Sequence, residues 1–436
     1  MQIDLKQLNA IALKASSWTF IGHMCSQSIR FLSHLLLVRL LRPEDFGLIQ
    51  LIYVFVYGLS MFSDFGINVN IIQHHRGAEV PFLQTAWTIQ VIRGMGIWIG
   101  CAVLAWPLSL LYAAPAALWL FPLVGIGYAI ESFSSTYLSV LRRNMELKKL
   151  TIVDISSNLA GVLGMLIMAW YWRQAWTLIT GSLISAALKT LLSYWAFNGP
   201  RMAFQWESRA VHDILHFGKW VFISSMTTFF SARLDFMIMG LYLTQTQLGY
   251  YGIASSFIQM VVDLVATLTS SVLLPMYAHL KQQSLEIMRK KILQMRSALT
   301  ILMLPPLYFF IFEGQRMVDV LYPADYHDIG WMLQILAVGG VVKVLASSIS
   351  PVLIGLGDSF SLALVNFIQF ALLIIFMLIG AHFYGTPGLI WATVLTGIFS
   401  FPALIYFIKP YRVWTYALDV GCFTLTAMLL MIYLLF

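Results

Sequence analysis

The stretch VRLLRPEDFGLIQL, residues 38–51, decides how this chain is read. It closes one long apolar run, turns through a short polar segment at Arg42-Pro43-Glu44-Asp45, and opens a second run at Gly47. The same pattern returns as GLYLTQTQLGYYGIA, residues 240–254, where Gly249 opens the next run. The offset is 202 residues. At that offset Leu41 meets Leu243, Gly47 meets Gly249, Phe55 meets Phe257 and Leu32 meets Leu234. Trp18-Thr-Phe-Ile likewise meets Trp220-Val-Phe-Ile. Chance matches are easy in apolar sequence, so the weight lies in the shared offset rather than in the identities.

The runs on either side define the class. Hydrophobic residues make up 60% of the 436 positions, charged residues 10%, and mean hydropathy is +0.81. Soluble domains carry roughly 25% charged residues, so a water-facing surface could not be solvated here. Apolar stretches of about 18 residues or more match a hydrocarbon core of about 30 Å. They lack the short alternation of a membrane barrel, so the spans are helices. Spans are expected at 15–38, 46–72, 83–106, 117–140, 151–172 and 175–197, then at 216–242, 247–272, 293–312, 329–350, 360–384 and 387–408, with a last apolar stretch at 415–436. The expected fold is an all-α polytopic membrane protein of two pseudo-repeated six-helix lobes plus one extra C-terminal helix. The lobes are 1–197 and 215–408, joined by a cytoplasmic linker at 198–214, and the extra helix is 409–436. An even number of spans in each half makes the repeat a parallel one, an architecture used by transporters.

The net charge of +7 does not read as nucleic-acid binding, because the basic residues cluster between the apolar runs as topology signals. With the N-terminus inside, the cytoplasmic loops collect Arg76, Arg142, Arg143, Lys148, Lys149, Arg201, Arg209, Lys281, Arg289, Lys290 and Lys291. The 313–328 loop outside is acidic. The N-terminus shows no cleavable-signal pattern, so the first span is expected to stay in the mature protein. Cys25, Cys101 and Cys422 lie apart inside apolar segments and read as buried small hydrophobes.

Ionisable groups at membrane depth cost about 2.5–3.5 kcal/mol and usually face a cavity or a partner. Here they are Arg30, Asp64, Arg93, Glu131, Asp154, Lys189, Arg233, Asp235, Asp263 and Lys343. Helical spacing gathers His23, Gln27, Arg30 and His34 on one face, and Tyr53, Tyr57, Ser60, Asp64 and Asn68 on another. Ser256, Gln259, Asp263, Thr267 and Ser270 make a third such stripe, and extended stripes line water more readily than lone polar residues do. Arg30, Arg93, Arg233 and Lys343 can form a positive chamber for an anionic group such as pyrophosphate. They can equally pair internally with Asp64, Glu131, Asp235 or Asp263. His23, Gln27, Asp64, Glu131, Asp235 and Asp263 are the candidates for cavity polarity or ion coupling. Asp154 and Lys189 lie nearer helix ends, where they can snorkel. His74-His75 lacks further ligands, so no metal site or cofactor is expected. There is no GxxxxGK[ST] loop and no soluble domain to hold one, so no ATPase is expected. Acids and histidines spread through the spans resemble a pathway more than an active site, so an enzyme is not expected, and a membrane enzyme of glycan assembly is a further alternative.

Residues 36–67, LLVRLLRPEDFGLIQLIYVFVYGLSMFSDFGI, resemble the opening of polysaccharide-export proteins in the MOP flippase superfamily. RLDFMIMGLYLTQTQLGYYGIA (233–254) and GLGDSF (355–360) are similar to later motifs of that family. The resemblance to its O-antigen (Wzx-type) branch implies a flippase for lipopolysaccharide or exopolysaccharide biosynthesis. Such carriers turn undecaprenyl-pyrophosphate-linked oligosaccharides from the cytoplasmic to the periplasmic leaflet of the bacterial inner membrane by alternating access. It further implies membrane lipids and polysaccharide polymerase machinery as partners, and no nucleic acid. Relatives commonly have 12 or 14 spans, against 13 here. The alternative is a cation-coupled multidrug or small-molecule antiporter. That branch often relies on an acid in the first helix, and residues 5–43 contain none.

Overall fold

A computed structural model describes residues 5–197, 199–269, 285–356, 358–411 and 414–435. Among these residues all regular structure is helical. In chain order the helices are α1 (Leu5–Leu37), α2 (Pro43–Phe62), α3 (Ile67–Gln73), α4 (Val80–Leu111), α5 (Ala117–Ser132), α6 (Tyr137–Arg143), α7 (Leu147–Trp172) and α8 (Thr177–Trp195). There follow α9 (Ser208–Tyr242), α10 (Gln245–Leu268), α11 (Leu285–Leu321), α12 (Ile329–Ile349), α13 (Pro351–Leu356), α14 (Ser359–Ile408) and α15 (Tyr416–Leu435).

The turn that opened the reading is built the same way in both halves. Asp45, at the third position of α2, accepts from the Arg42 N–H at 3.1 Å. Residues 202 further on, Gln247 accepts from the Thr244 N–H and Thr244 Oγ1 accepts from the Gln247 N–H, each at 3.2 Å. Each start thus has an N-terminal side chain reaching back to the cap, which satisfies amide donors a helix otherwise leaves open. The fourth span of each half is also followed by a short helix, α6 across a 65° bend after α5 and α13 directly after α12.

Among the described residues, seven helices are long and apolar enough to cross a membrane, or eight with the bent pair α5–α6 counted as one span. One of the seven, Phe360–Tyr411, has 52 residues, more than twice the roughly 20 needed for one crossing. It bends at Gly385, whose φ of 58° only glycine adopts freely. The polar residues of α1 and α9, Arg30 and Arg233 among them, make those helices less apolar.

Where they lie among the described residues the expected spans fall on helix, with four corrections. The 46–72 span breaks after Phe62, because Asp64 Oδ1 takes the Gly66 N–H at 3.0 Å and Gly66 turns left-handed at φ 63°. The Tyr53-to-Asn68 stripe is therefore not one continuous face. The 117–140 span bends by 65° across residues 133–136. There the Ser193 hydroxyl takes the Ser135 N–H at 2.9 Å and the Ser135 hydroxyl takes the Tyr137 N–H at 3.3 Å. The 293–312 span continues as α11 to Leu321, so Glu313, Arg316 and Asp319 are helical rather than looped. Pairs one turn apart hold that end, Arg316 with Glu313 at 2.9 Å and Gln315 with Asp319 at 3.1 Å. In the 198–214 connection, residues 199–207 are irregular and α9 begins at Ser208. Ser270 and Lys281 lie outside the described residues. Of the three cysteines expected to be buried, Cys101 and Cys422 are, while Cys25 is exposed.

The chain divides into two compact units, Met1–Leu241 and Tyr242–Phe436. Repeat and packing thus cut the chain at different places, since α9 opens the second half of the repeat but packs with the first unit. Its Ala210, Val211 and Ile214 join Ile67, Ile71, Phe82 and Leu83 in one apolar cluster. Its Phe229 ring meets Phe62 at 5.0 Å, and the Tyr112 hydroxyl donates to the Met237 carbonyl at 3.2 Å. In the first unit, α2, α4, α5 and α8 share a core around Ile52, Val56, Leu120, Phe121 and Ile179. Gly161 and Gly181 let α7 and α8 touch backbone to backbone; a Cβ on Gly161 would strike the Gly181 carbonyl. In the second unit, Leu299, Ile349, Leu353 and Leu404 form the core of α11 to α14.

Candidate functional site

Two polar cavities lie within the first unit, and they share a wall. The larger, about 400 Å³, opens between α1, α5, α7 and α8. It is lined by Arg30, Glu131, Asp154 and Lys189, with Ser26, Ser157, Asn158 and Ser185 among its hydroxyl and amide groups. Lys189 is its centre: Nζ lies 3.1 Å from Glu131 and 3.5 Å from Asp154. The lysine is half-buried, while Glu131 and Asp154 keep 48% and 41% of their side chains open, so this is a wetted cluster rather than a sealed one.

The smaller cavity, about 260 Å³, lies between α2, α4, α5 and α6. Arg93, Arg142, Lys189 and Glu131 line it, among Ser60, Asn68, Gln90, Ser134, Thr136 and Ser139. The break between α5 and α6 places its serines here. Arg93 Nε donates to the Ser63 hydroxyl at 3.2 Å. Its Nη2 donates to the Ser60 carbonyl at 2.7 Å and hydroxyl at 3.2 Å. Gln90 is held by the Ser132 and Ser134 carbonyls at 2.8 and 3.0 Å. Glu131 and Lys189 line both cavities, so this one ion pair stands between them.

The structure thus gathers Arg30 and Glu131 on one cavity and Arg93 and Glu131 on the next. It also puts Asp154 and Lys189, assigned from sequence to helix ends, on the wall of the larger cavity. On α1 the residues facing that cavity are Ser26, Ile29, Arg30 and Ser33. His23 and Gln27 are not on its wall, and His34 packs edge-on against Phe46 at 5.2 Å. The face is displaced toward serines that count as weakly polar in a periodicity reading. Asp64 turns the chain between α2 and α3, and its field, with that of Glu131, reaches Arg93. Arg233 is exposed and lies over the Tyr57 ring at 5.7 Å, beside half-buried Asp235. In the second unit, Asp263 accepts from Gln259 at 2.7 Å on α10, and Lys343 is exposed on α12.

Sequence reasoning missed a further charge pair. Arg296 on α11 is fully buried and bonded to Asp419 on α15 at 2.6 Å. Ser348, Thr415 and the Leu345 carbonyl take its other donors, and the Trp414 indole donates to Asp419 at 2.9 Å. Each partner is a lone charge in an apolar stretch, and that was the available signal.

Residues 36–330 match the model of a family described as polysaccharide biosynthesis protein. The lipopolysaccharide biosynthesis protein WzxC of Escherichia coli (strain K12) is 22% identical over 401 residues, covering 91% of this chain and 81% of that protein. The succinoglycan biosynthesis transport protein ExoT of Rhizobium meliloti (strain 1021) is 21% identical, over 78% of this chain and 68% of its own. Among solved structures, the lipid II flippase MurJ in an inward closed conformation superposes with a TM-score of 0.70 at 17% identity. It covers 91% of this chain and 87% of its own. An inward-facing multidrug MATE transporter of the MOP superfamily reaches 0.69 at 13% identity, over 89% and 96%. The fold is that of the MOP transporters.

Proposed function

The chain belongs to the polysaccharide biosynthesis protein family, and from that premise we propose that it is a flippase for undecaprenyl-pyrophosphate-linked oligosaccharide repeat units. It carries them from the cytoplasmic to the periplasmic leaflet by alternating access, in the service of O-antigen or exopolysaccharide biosynthesis. The observation that carries this reading is the wall of cations, carboxylates and hydroxyls inside a helical membrane bundle of this family. A bundle held together only by apolar packing needs no such wall, and each charge in it costs insertion energy.

A lipid-linked pyrophosphate glycan asks for cations at the phosphates and hydrogen-bonding groups at the sugars. Arg30, Arg93, Arg233 and Lys343 are the residues we assign to the pyrophosphate, because guanidinium and ammonium groups bind phosphate oxygens strongly where water is scarce. His23, Gln27, Asp64, Glu131, Asp235 and Asp263 are assigned to cavity polarity and coupling to an ion gradient. The chain works as a transporter and makes no covalent change to its substrate. It sits in the bacterial inner membrane with a cytoplasmic N-terminus, supported by the excess of Lys and Arg in alternate loops. It hands its cargo to polysaccharide polymerase machinery.

Deleting the gene tests this. Lipid-linked repeat units should accumulate on the cytoplasmic side while surface glycan is lost, and the wild-type chain should restore it where Arg93→Ala does not. Normal surface glycan without an accumulated intermediate would overturn the reading.

A further inference from the structure

The two cavities differ in charge. In the larger one Arg30 and Lys189 face Glu131 and Asp154, two cations against two carboxylates, a formal balance of zero. In the smaller one Arg93, Arg142 and Lys189 face Glu131 alone, three against one, a formal +2. Only Lys189 of those three is in an ion pair; among the described residues Arg93 and Arg142 have no carboxylate partner. Arg93 uses Nε and Nη2 on serines, and among the described residues nothing accepts from its Nη1. Arg142 is exposed at the end of α6. Around them the Ser60 and Ser134 hydroxyls and the Asn68 amide can donate, while the Gln90 amide and the Ser139 and Thr136 hydroxyls already donate to the Ser132 and Ser134 carbonyls, Asn68 and the Leu83 carbonyl.

We propose that the smaller cavity is an anion pocket within the first unit, which takes a phosphate or pyrophosphate group between Arg93, Arg142 and Lys189. Glu131 sets its affinity. The carboxylate is the one negative charge on the wall, and it pairs with Lys189, which Asp154 holds on the side of the larger, neutral cavity. An anion that draws Lys189 toward itself loosens the Glu131–Lys189 pair, the boundary between the two cavities. A group bound on one side is thereby linked to the hydroxyl-rich space on the other. Assigning the anion to a lipid-linked pyrophosphate rests on the flippase reading; the pocket's choice of a phosphate anion does not. Neither Arg142 nor Lys189 was among the pyrophosphate ligands expected from sequence.

The test uses the full chain in phosphatidylcholine nanodiscs, titrated calorimetrically with inorganic pyrophosphate. Saturable binding is expected, weakened about tenfold or more in Arg142→Gln and largely restored in Arg142→Lys, since the lost contact is a charge-assisted one. Glu131→Gln should bind several-fold more tightly, because the pocket gains a net positive charge while Lys189 keeps Asp154. Arg173→Gln, at the far end of α7, should match the wild type. A second arm adds undecaprenyl pyrophosphate to the nanodiscs. Displacement of inorganic pyrophosphate assigns the pocket to the lipid headgroup, and binding without displacement assigns it to a free phosphate. Absent saturable binding, or binding indifferent to both Arg142→Gln and Glu131→Gln in proteins of unchanged thermal stability, overturns the pocket. That failure is separate from failure of the flippase reading, which shows as normal surface glycan in the deletion strain whatever the nanodiscs bind.

Discussion

Two charge clusters sit among the helices of this chain, and they are finished in opposite ways. Around Arg296 every donor is occupied: Asp419, Ser348, Thr415 and a backbone carbonyl surround a guanidinium with no exposure at all. Around Lys189 the carboxylates stay nearly half open, the distances are longer, and two cavities adjoin. The chemistry is the same, a cation between oxygen acceptors. What differs is completion. A fully satisfied buried pair has nothing left for a ligand and serves to fix helices. An unfinished one keeps its field and donors available, and a membrane protein retains that cost where function needs it.

The largest effect should come from opening the sealed cluster. Asp419→Ala leaves Arg296 buried without its counter-charge, a loss of about 3–5 kcal/mol. Thermal unfolding of the purified protein should fall sharply, with α15 the first segment to lose protection from hydrogen exchange. Replacing both partners, Arg296→Met with Asp419→Leu, should restore most of that stability, since an apolar pair of similar volume costs little against a buried ion pair. If the double variant transports like the wild type, the cluster is a fastening for the C-terminal helix. If the double variant folds but does not transport, the contrast between the two clusters is wrong.

The open cluster should respond the other way. Asp154→Asn leaves Lys189 with Glu131, and half-exposed pairs contribute at most about 1 kcal/mol, so the melting curve should hardly move. Transport of lipid-linked glycan should fall by an order of magnitude or more. A large stability loss without a transport defect at permissive temperature would make this cluster structural as well.

The contrast also explains what could be read from sequence. Helix order, the repeat and the membrane class were legible because they depend on local composition and on a turn whose capping chemistry recurs at Asp45 and Gln247. The breaks after Phe62 and Ser132 were less so: they hang on Asp64 and Ser135 taking backbone N–H groups, a choice periodicity does not report. The meeting of Lys189 with Glu131 and Asp154 was not legible, because it brings together three helices, of which α7 and α8 pack through Gly161 and Gly181. Arg296 and Asp419, more than a hundred residues apart, were hidden for the same reason. Sequence located the charges; packing decided which were spent on each other.

A third cluster lies between the two extremes and carries the smallest expected effect. At the end of the inter-lobe segment, Arg76 bonds Glu79 at 2.7 Å and Glu207 at 2.8 Å. The Glu207 N–H donates to Thr85, the Gln205 N–H to Thr88, and Gln84 to the Arg201 carbonyl, so residues 201–207 are strapped along α4. The Arg76 guanidinium holds the Glu207 carboxyl below its ordinary value of 4.5. A depressed carboxylate stabilises the fold above its ordinary pKa, and that contribution is lost as pH falls through the lowered one. The strap should therefore be indifferent to pH from neutrality down to about 4.5 and loosen only below that. Glu207→Gln should produce the same loosening at neutral pH. Amide exchange of residues 201–207 is the measurement, with α15 as the internal reference: the sealed Arg296 cluster should keep its protection in Glu207→Gln while the strap loses its own. Equal loss in both would mean the chain opens as a whole, and that the three clusters do not differ in the way their geometry indicates.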